Sequence, residues 1–258
     1  MNLDLTGKNA LVCGSTQGIG LAAAKELALL GCNVTLLARN ESRLKEAVAS
    51  LHKEGNQTHE FLVADFSDNT QVKTVIEKNN NYHILVNNTG GPPGGKAIDA
   101  ETDEFLTAFS NHLINNQLLV KAITPFMKSE GYGRIINIIS TSVKIPINGL
   151  GVSNTIRGAV ANWSKTLANE LGGFGITVNN VLPGSTNTQR IWDIVERNAQ
   201  KLGVSNDEVE AKMKSEIPAG RFAEPNEVAA AVAFLASPAA GYINGINVPV
   251  DGGRTGCL

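Results

Sequence analysis

The sequence predicts an α/β fold with a doubly wound parallel sheet of about seven strands. Short runs rich in β-branched and apolar residues alternate with longer segments of helical periodicity, which is the pattern of repeated βαβ units. The apolar character of the runs is that of strands buried on both faces of a sheet. In chain order the predicted strands are NALVC, NVTLLA, HEFLVA, HILVN, RIINII, ITVNNVL and INVPV.

Length and composition predict one globular domain spanning residues 1–258, since 42% of the residues are apolar and no linker or repeat interrupts the chain. A net charge of -2 without a basic tract argues against a nucleic-acid partner. The first apolar run is too short for a membrane span and has no basic leader, so we expect no membrane association and a cytoplasmic location. Three cysteines without a C-x-x-C motif argue against disulfides and a metal site, so Cys13 and Cys32 are expected to be buried thiols.

Helix boundaries can be predicted at three glycine or proline residues. The segment GLAAAKELALLG is expected to end at Gly31, and ESRLKEAVASLHKEG at Gly55. The segment EPNEVAAAVAFLAS is expected to begin near Pro225 as the last crossover helix. Residues 89–96, TGGPPGGK, form a loop that either overhangs the functional site or lies on the surface.

A glycine motif, CGSTQGIG, joins the first predicted strand to the first helix. Gly14, Gly18 and Gly20 would allow the backbone to approach a pyrophosphate, whose charge is stabilised at the helix N-terminus. The position between strand and helix indicates a dinucleotide site of Rossmann type, although a purely structural turn is the alternative.

The end of the second strand favours NADP over NAD. No Asp or Glu follows this strand to accept the ribose 2′-hydroxyl, whereas Arg39 can pair with a 2′-phosphate. The alternative is that Arg39 is an ordinary solvated side chain.

The ordered motifs resemble the short-chain dehydrogenase/reductase family across nearly the whole chain, with the 3-oxoacyl-[acyl-carrier-protein] reductases as the relatives implied. GSTQGIG is similar to the family's glycine motif with Cys13 in place of Thr, and NNTG at 87–90 to its NNAG. LPGSTNT and YINGINVPVDGG are similar to the segments after the sixth strand and around the last one. The resemblance implies these cofactor-binding residues: Gly14, Ser15, Gln17, Gly18, Ile19, Gly20, Arg39, Asp65, Phe66, Asn88, Thr89, Gly90, Arg157, Pro183, Gly184, Thr186 and Thr188.

The resemblance breaks at the catalytic residues. The family uses a Ser after the fifth strand, a Tyr and a Lys four residues apart on the next helix, and an Asn on the preceding helix. Here Ser140 occupies the serine position, but Ser153 and Arg157 occupy those of the tyrosine and lysine, and His112 that of the asparagine. The chain therefore resembles a divergent subgroup that lacks the Tyr-x-x-x-Lys pair.

These replacements change the proton chemistry. The hydroxyl of Ser153 is a far weaker acid than a phenol, and Arg157 keeps its charge and relays no proton. His112, with an ordinary pKa near 6.5, or a water held by Ser140 and Ser153, is the candidate proton donor. The alternative is that His112 only packs inside its helix.

Two classes of function follow. The first is an oxidoreductase that reduces a ketone or a 3-oxoacyl thioester, and the second is a catalytically inactive dinucleotide-binding protein that senses or scaffolds. Residues 191–221 lie where the family has a substrate lid, with Trp192, Ile194 and Met213 facing either substrate or core. The resemblance also implies a homotetramer or homodimer formed through the long helices that carry Asn115, Asn116 and Trp163.

Overall fold

The predicted sheet is confirmed by the structure, a computed structural model that describes residues 1–257 and leaves Leu258 outside the described residues. Seven strands pair in parallel in the order β3-β2-β1-β4-β5-β6-β7. The strands are β1 Asn9–Cys13, β2 Asn33–Ala38, β3 His59–Val63, β4 Ile84–Asn87, β5 Gly133–Ile138, β6 Ile176–Pro183 and β7 Asn247–Val250.

Helices cover both faces of this sheet and give it two apolar layers. One layer buries residues of α1, α2 and α9, and the other buries residues of α3, α5 and α6. Among residues 1–257, no helix is at once long enough and apolar enough to cross a bilayer. The helices are α1 Gly18–Leu29, α2 Glu41–Ala49, α3 Asn69–Lys78, α4 Thr102–Phe109, α5 Asn115–Glu130, α6 Gly151–Leu171, α7 Gln189–Leu202, α8 Asn206–Ser215 and α9 Pro225–Ala236.

Two of the predicted helix boundaries are confirmed and one is wrong. Gly31 follows α1 with a φ of 90°, and Pro225 is the first residue of α9. Gly55 does not end α2, because that helix already stops at Ala49. There the hydroxyl of Ser50 donates to the carbonyl of Ala47, and the backbone N–H of Leu51 bonds to Val48 in a tighter turn. Gly55 lies in the following loop.

Cys13 and Cys32 are buried free thiols, as predicted. Burial raises the pKa of both thiols far above the usual value, so each stays protonated and packs as a small apolar residue.

The order of the strands determines where a ligand can bind. The chain winds from β1 towards β3 on one side and returns to place β4 on the other side of β1. The loops after β1 and β4 therefore diverge and leave a crevice at the carboxyl ends of these strands. The glycine motif and the NNTG segment both begin at this crevice.

A row of buried asparagines crosses the sheet directly below that crevice. The strand register places Asn87, Asn137, Asn180 and Asn247 side by side on β4 to β7. The side-chain Nδ2 of each asparagine donates to the side-chain Oδ1 of the next one in this order. The three N···O distances are 2.8 Å, 3.0 Å and 2.8 Å. Asn137 also donates to the hydroxyl of Ser164 on α6 at 3.2 Å. This row holds the strand ends of the crevice in register.

We expect Asn137→Ala to lower the free energy of unfolding by about 2–4 kcal/mol, because it leaves the amide of Asn87 and the carbonyl of Asn180 buried without their partner. Urea unfolding measures this. The exposed Asn56 offers the control Asn56→Ala, for which the change should stay within about 0.5 kcal/mol. Equal stability of both variants would contradict a structural role for the row.

Candidate active site

A cleft of about 720 Å³ opens at the carboxyl ends of β1, β4, β5 and β6. Its walls are the glycine loop before α1, the loop after β4, the start of α6 and the first turns of α7. Much of the set predicted from the sequence lines this one cleft. The lining includes Gly14, Gln17, Gly18, Ile19, Asn88, Thr89, Gly90, Ser140, Ser153, Arg157, Pro183, Gly184, Thr186 and Thr188.

The glycine loop lies against the end of β4 so closely that side chains cannot be accommodated. A Cβ atom at Gly20 would lie 2.3 Å from the carbonyl oxygen of Gly14, and one at Gly14 would lie 2.6 Å from that of Asn88. The amide of Asn88 donates to the Gly14 carbonyl at 3.1 Å. Gln17 precedes α1 without capping it through its side chain, so the N–H groups of the first turn are open to an anion.

Ser15 lies within this loop and is fully buried, outside the lining of the cleft. Its hydroxyl has no hydrogen-bond partner among residues 1–257. A buried hydroxyl without a partner is unfavourable, but this one is closed off from the cleft, so it is no evidence for a ligand. The close approach of the glycine loop and the open N–H groups at the start of α1 fit the pyrophosphate of a dinucleotide.

Arg39, Asp65 and Phe66 follow β2 and β3, and lie outside the cleft lining at the far side of β1. The backbone and hydroxyl of Ser67 donate to Asp65 and lower the pKa of its carboxyl group, with a smaller contribution from the nearby Arg39. The carbonyl of Phe66 accepts a hydrogen bond at 2.7 Å from Asn115, which positions this loop. The structure thus places a cation and a carboxylate where an adenosine end would extend.

Ser140 follows β5 and Ser153 lies in the first turn of α6, and both hydroxyls are half-buried at the cleft. The oxygen of Ser140 accepts a hydrogen bond at 3.1 Å from the backbone N–H of Ser142. That bond fixes the oxygen and leaves its proton free to donate to a ligand in the cleft.

Arg157 is buried although it carries a charge. Its Nη1 donates to the carbonyl of Ile138 at 3.1 Å, and its Nη2 donates to that of Thr89 at 3.4 Å. Burial, and then the charge of Arg190, lower the pKa of Arg157 to about 10. The guanidinium therefore remains protonated at neutral pH and brings a positive charge to the cleft.

His112 lies outside the lining of the cleft, in a single π-helical turn, Ser110–Ile114, that joins α4 to α5. It is 2% exposed, and its Nδ1 forms a hydrogen bond with the hydroxyl of Thr89. Burial, followed by the charge of Arg157, lowers the pKa of His112 to about 3. The expectation that His112 titrates near neutrality is therefore wrong, because its imidazolium form is unstable in this environment.

No phenol lines the cleft among residues 1–257. Tyr132 donates its hydroxyl to the carbonyl of Ala236 at 2.7 Å, and Tyr242 projects fully into solvent. Tyr82 is buried against the sheet, where burial raises its pKa to about 12. The chain itself thus offers no tyrosine in place of the one missing at position 153.

The segment expected to form a lid contributes α7 to the wall of the cleft. Of the three candidates there, Ile194 lines the cleft. Trp192 packs its ring against Phe222 and donates to Asn187, and Met213 packs among the apolar residues beneath α7 and α8. The structure therefore supports the packing alternative for Met213, whereas Trp192 is 38% exposed and lies neither in the core nor in the lining of the cleft.

Sequence reasoning missed Arg190, Asp193 and the loop contact between α7 and residues 90–95. Arg190 lines the cleft and donates to the carbonyl of Pro92 at 2.9 Å. The spacing could have indicated this face, because Arg190, Ile194 and Arg197 recur at four and three residues and lie on one side of a helix.

Residues 14–255 match the family described as enoyl-(acyl carrier protein) reductase. The 3-oxoacyl-[acyl-carrier-protein] reductase FabG of Haemophilus influenzae is 36% identical over 253 residues, covering 96% of this chain and 98% of the relative. The short-chain reductase protein NovJ of Streptomyces niveus is 33% identical over 95% of this chain and 93% of its own length. L-sorbose reductase from Gluconobacter frateurii, solved with NADPH and L-sorbose, aligns over 100% of both chains with a TM-score of 0.93 and 29% identity.

The low pKa of His112 predicts a specific loss of stability in acid. Below its usual pKa of 6.5, an unfolded His112 binds a proton that the folded chain excludes until about pH 3, so acidification favours unfolding. Between pH 7 and pH 5, we expect the wild type to lose about 2 kcal/mol more free energy of unfolding than His112→Gln. Urea unfolding at pH 7, 6 and 5 measures the difference. His52→Gln, at an exposed position, is the control for removing one imidazole, and parallel pH profiles for wild type and His112→Gln would refute the assignment.

Proposed function

Because the chain belongs to the short-chain dehydrogenase/reductase family, we propose that it is an NADP-dependent oxidoreductase that reduces a ketone or a 3-oxoacyl thioester. The observation that carries this proposal is one cleft that holds both the glycine loop and the hydroxyl of Ser140. A pyrophosphate site and a carbonyl-polarising donor on the same cleft are what such a reduction requires. The relatives named above as 3-oxoacyl and L-sorbose reductases support the substrate class.

The dinucleotide would lie along the crevice at the strand ends. The backbone of Gly14, Gly18 and Gly20 would hold the pyrophosphate, and Arg39 and Asp65 the adenosine end. Arg39 supports NADP over NAD, as does the NADPH bound in the L-sorbose reductase structure. Bound NADPH supplies the hydride that reduces the carbonyl carbon.

Ser140 and Arg157 would stabilise the charge that develops on the carbonyl oxygen. The hydroxyl of Ser140 is fixed by Ser142 and can donate to that oxygen. Arg157 adds a permanent positive charge at the same cleft, where burial strengthens its electrostatic effect. Neither residue needs to give up a proton to do this.

The proton would come from a water in the cleft, held by Ser140 and Ser153 and replenished by solvent. His112 cannot store a proton at neutral pH, because its pKa lies near 3. Neutral His112 would instead hold the hydroxyl of Thr89, which lines the cleft. We propose on this basis that the chain represents a divergent subgroup without the Tyr-x-x-x-Lys pair, with water as its proton donor.

A second candidate function is a catalytically inactive dinucleotide-binding protein. The absence of any phenol along the cleft among residues 1–257 favours it, since removal of a positioned acid typically costs about 10²- to 10⁴-fold in rate. In this alternative, Arg157 and the glycine loop would serve cofactor binding alone.

The domain extent of 1–258, the cytoplasmic location and the homotetramer or homodimer stay predictions from the sequence. Asn115 and Asn116 are buried within the chain and cannot form an interface. Trp163 is half-buried on α6 and donates at 2.8 Å to Gln117 on α5, so it joins the two helices that would form one.

Replacing Arg39 tests the cofactor preference. We expect Arg39→Gln to weaken NADPH binding by roughly 10- to 100-fold and to leave NADH binding unchanged, because only NADPH carries a phosphate for the guanidinium. Calorimetric titration with both cofactors measures this. Lys53→Gln removes an exposed positive charge in the loop after α2 and serves as control. Equal losses for NADPH and NADH would contradict the assignment.

Turnover tests the function itself. Calorimetry establishes NADPH binding, and NADPH oxidation is then followed with a panel of ketones and 3-oxoacyl thioesters. We expect turnover with at least one compound, and a fall in kcat of about 100-fold or more in Ser140→Ala with an unchanged Kd for NADPH. The exposed Ser129 gives the control Ser129→Ala. Tight NADPH binding without turnover on any compound would overturn the reductase proposal and support the inactive binding protein.

A further inference from the structure

Three arginines lie along the glycine-proline loop, and we call Arg157, Arg190 and Arg197 the arginine cluster. Arg157 and Arg190 line the cleft, and Arg197 lies beyond its lining, next to Gly94. A Cβ atom at Gly91 would lie 3.6 Å from Nη2 of Arg190 and 3.9 Å from Nη2 of Arg157. One at Gly94 would lie 3.3 Å from Nη1 of Arg197. The three side chains therefore line up along the glycine-proline loop, from the buried Arg157 to the exposed Arg197.

No ion pair connects this cluster to a carboxylate within residues 1–257. Asp193 is the acid that lines the same cleft, and its carboxylate accepts a hydrogen bond at 2.9 Å from Gln189. Its charge offsets part of the repulsion on Arg190, but burial, and then the charge of Arg197, still lower the pKa of Arg190. Three cations against one acid leave a positive potential in this part of the cleft.

Position along α7 separates Arg197, the outer end of the cluster, from the pyrophosphate site, whereas Arg190 lies two residues after Thr188. Thr188, which precedes α7, lies against the glycine loop, with its Cγ2 3.3 Å from where a Cβ of Gly18 would be. Arg197 lies nine residues later, about 13 Å along the helix axis. A dinucleotide on the glycine loop therefore leaves the outer end of the cluster without a counter-charge.

An unpaired cluster of cations raises the free energy of the unliganded cleft, and a bound anion lowers it. The planar guanidinium group matches carboxylate and phosphate oxygens with paired hydrogen bonds. Arg190 donates one N–H to the carbonyl of Pro92, and Arg197 has no hydrogen bond within residues 1–257, so both guanidinium groups have donors available for a ligand.

We propose that the substrate is a ketone carrying a carboxylate or phosphate group, which the arginine cluster binds while the carbonyl lies at Ser140. This inference rests on the proposed reductase function and specifies its substrate class. Arg157 is the member of the cluster that shares the lining of the cleft with Ser140, so its charge would act on both the anionic group and the developing charge on the carbonyl oxygen. Arg190 and Arg197 would fix the distance between the anion and the reacting carbon.

Matched pairs of ligands test the proposal by binding, without turnover. Calorimetry on the NADP⁺ complex compares acetoacetate with its methyl ester, and dihydroxyacetone phosphate with dihydroxyacetone. The first pair tests a carboxylate and the second a phosphate. We expect the charged member of at least one pair to bind about tenfold or more tightly than its neutral partner, and this preference to shrink between 50 and 500 mM KCl.

Substitutions on α7 test whether the arginine cluster causes the preference for the charged ligand. Arg190→Gln and Arg197→Gln should each reduce the ratio of the two affinities by about tenfold, with an unchanged Kd for NADPH. Lys201→Gln removes a charge from the same helix at an exposed position outside the cleft, and should leave the ratio unchanged. Because Arg197 is exposed, its replacement leaves the core intact.

The outcomes separate this inference from the proposed function. Equal or absent binding of both members in both pairs overturns the inference, as does a preference that neither arginine variant alters. Turnover of neutral ketones without any preference for anions supports the reductase and overturns the inference. A preference that depends on Arg190 and Arg197 in a chain without turnover supports the anion site and overturns the reductase.

Discussion

The buried guanidinium of Arg157 is the interaction on which the candidate site depends. It donates to the carbonyl of Ile138 at the end of β5 and to that of Thr89 just after β4, and so holds these two segments together at the cleft. Burying a charge is costly unless hydrogen bonds replace the lost water, and here two backbone carbonyls do so without neutralising it. The charge therefore remains available to the cleft.

Burial, together with the same charge, determines which proton chemistry is open to His112. Burial keeps its imidazole neutral, Arg157 adds to this effect, and His112 in turn bonds to Thr89 at the cleft. With the tyrosines bonded or exposed elsewhere, the residues that line the cleft can polarise a carbonyl but, within residues 1–257, include no tyrosine, histidine or cysteine. Positioning and electrostatics would then provide most of the rate enhancement.

Local sequence patterns were enough to predict the sheet, the glycine loop and the position of Ser140. Each follows from neighbouring residues: alternating strands and helices, glycines between a strand and a helix, and a serine after a buried run. The row of Asn87, Asn137, Asn180 and Asn247 could not be predicted, because it depends on the register of strands far apart in sequence. The pKa of His112 also needed the fold, since it depends on burial and on Arg157, 45 positions along the chain. The end of α2 was missed because a side-chain bond at Ser50 stops the helix before its glycine.

The hydrogen bond from Arg190 to the carbonyl of Pro92 joins two opposite walls of the cleft. A single solvent-accessible bond of this kind has a net free energy of about 1 kcal/mol, so this bond alone would be broken in roughly 10–20% of the molecules at equilibrium. A hydrogen bond that breaks this often would not by itself retain a product in the cleft for long. The residence time of a ligand would then depend on its own contacts with the residues of the cleft. Opening of the cleft would not limit the rate at which the ligand exchanges with bulk solvent.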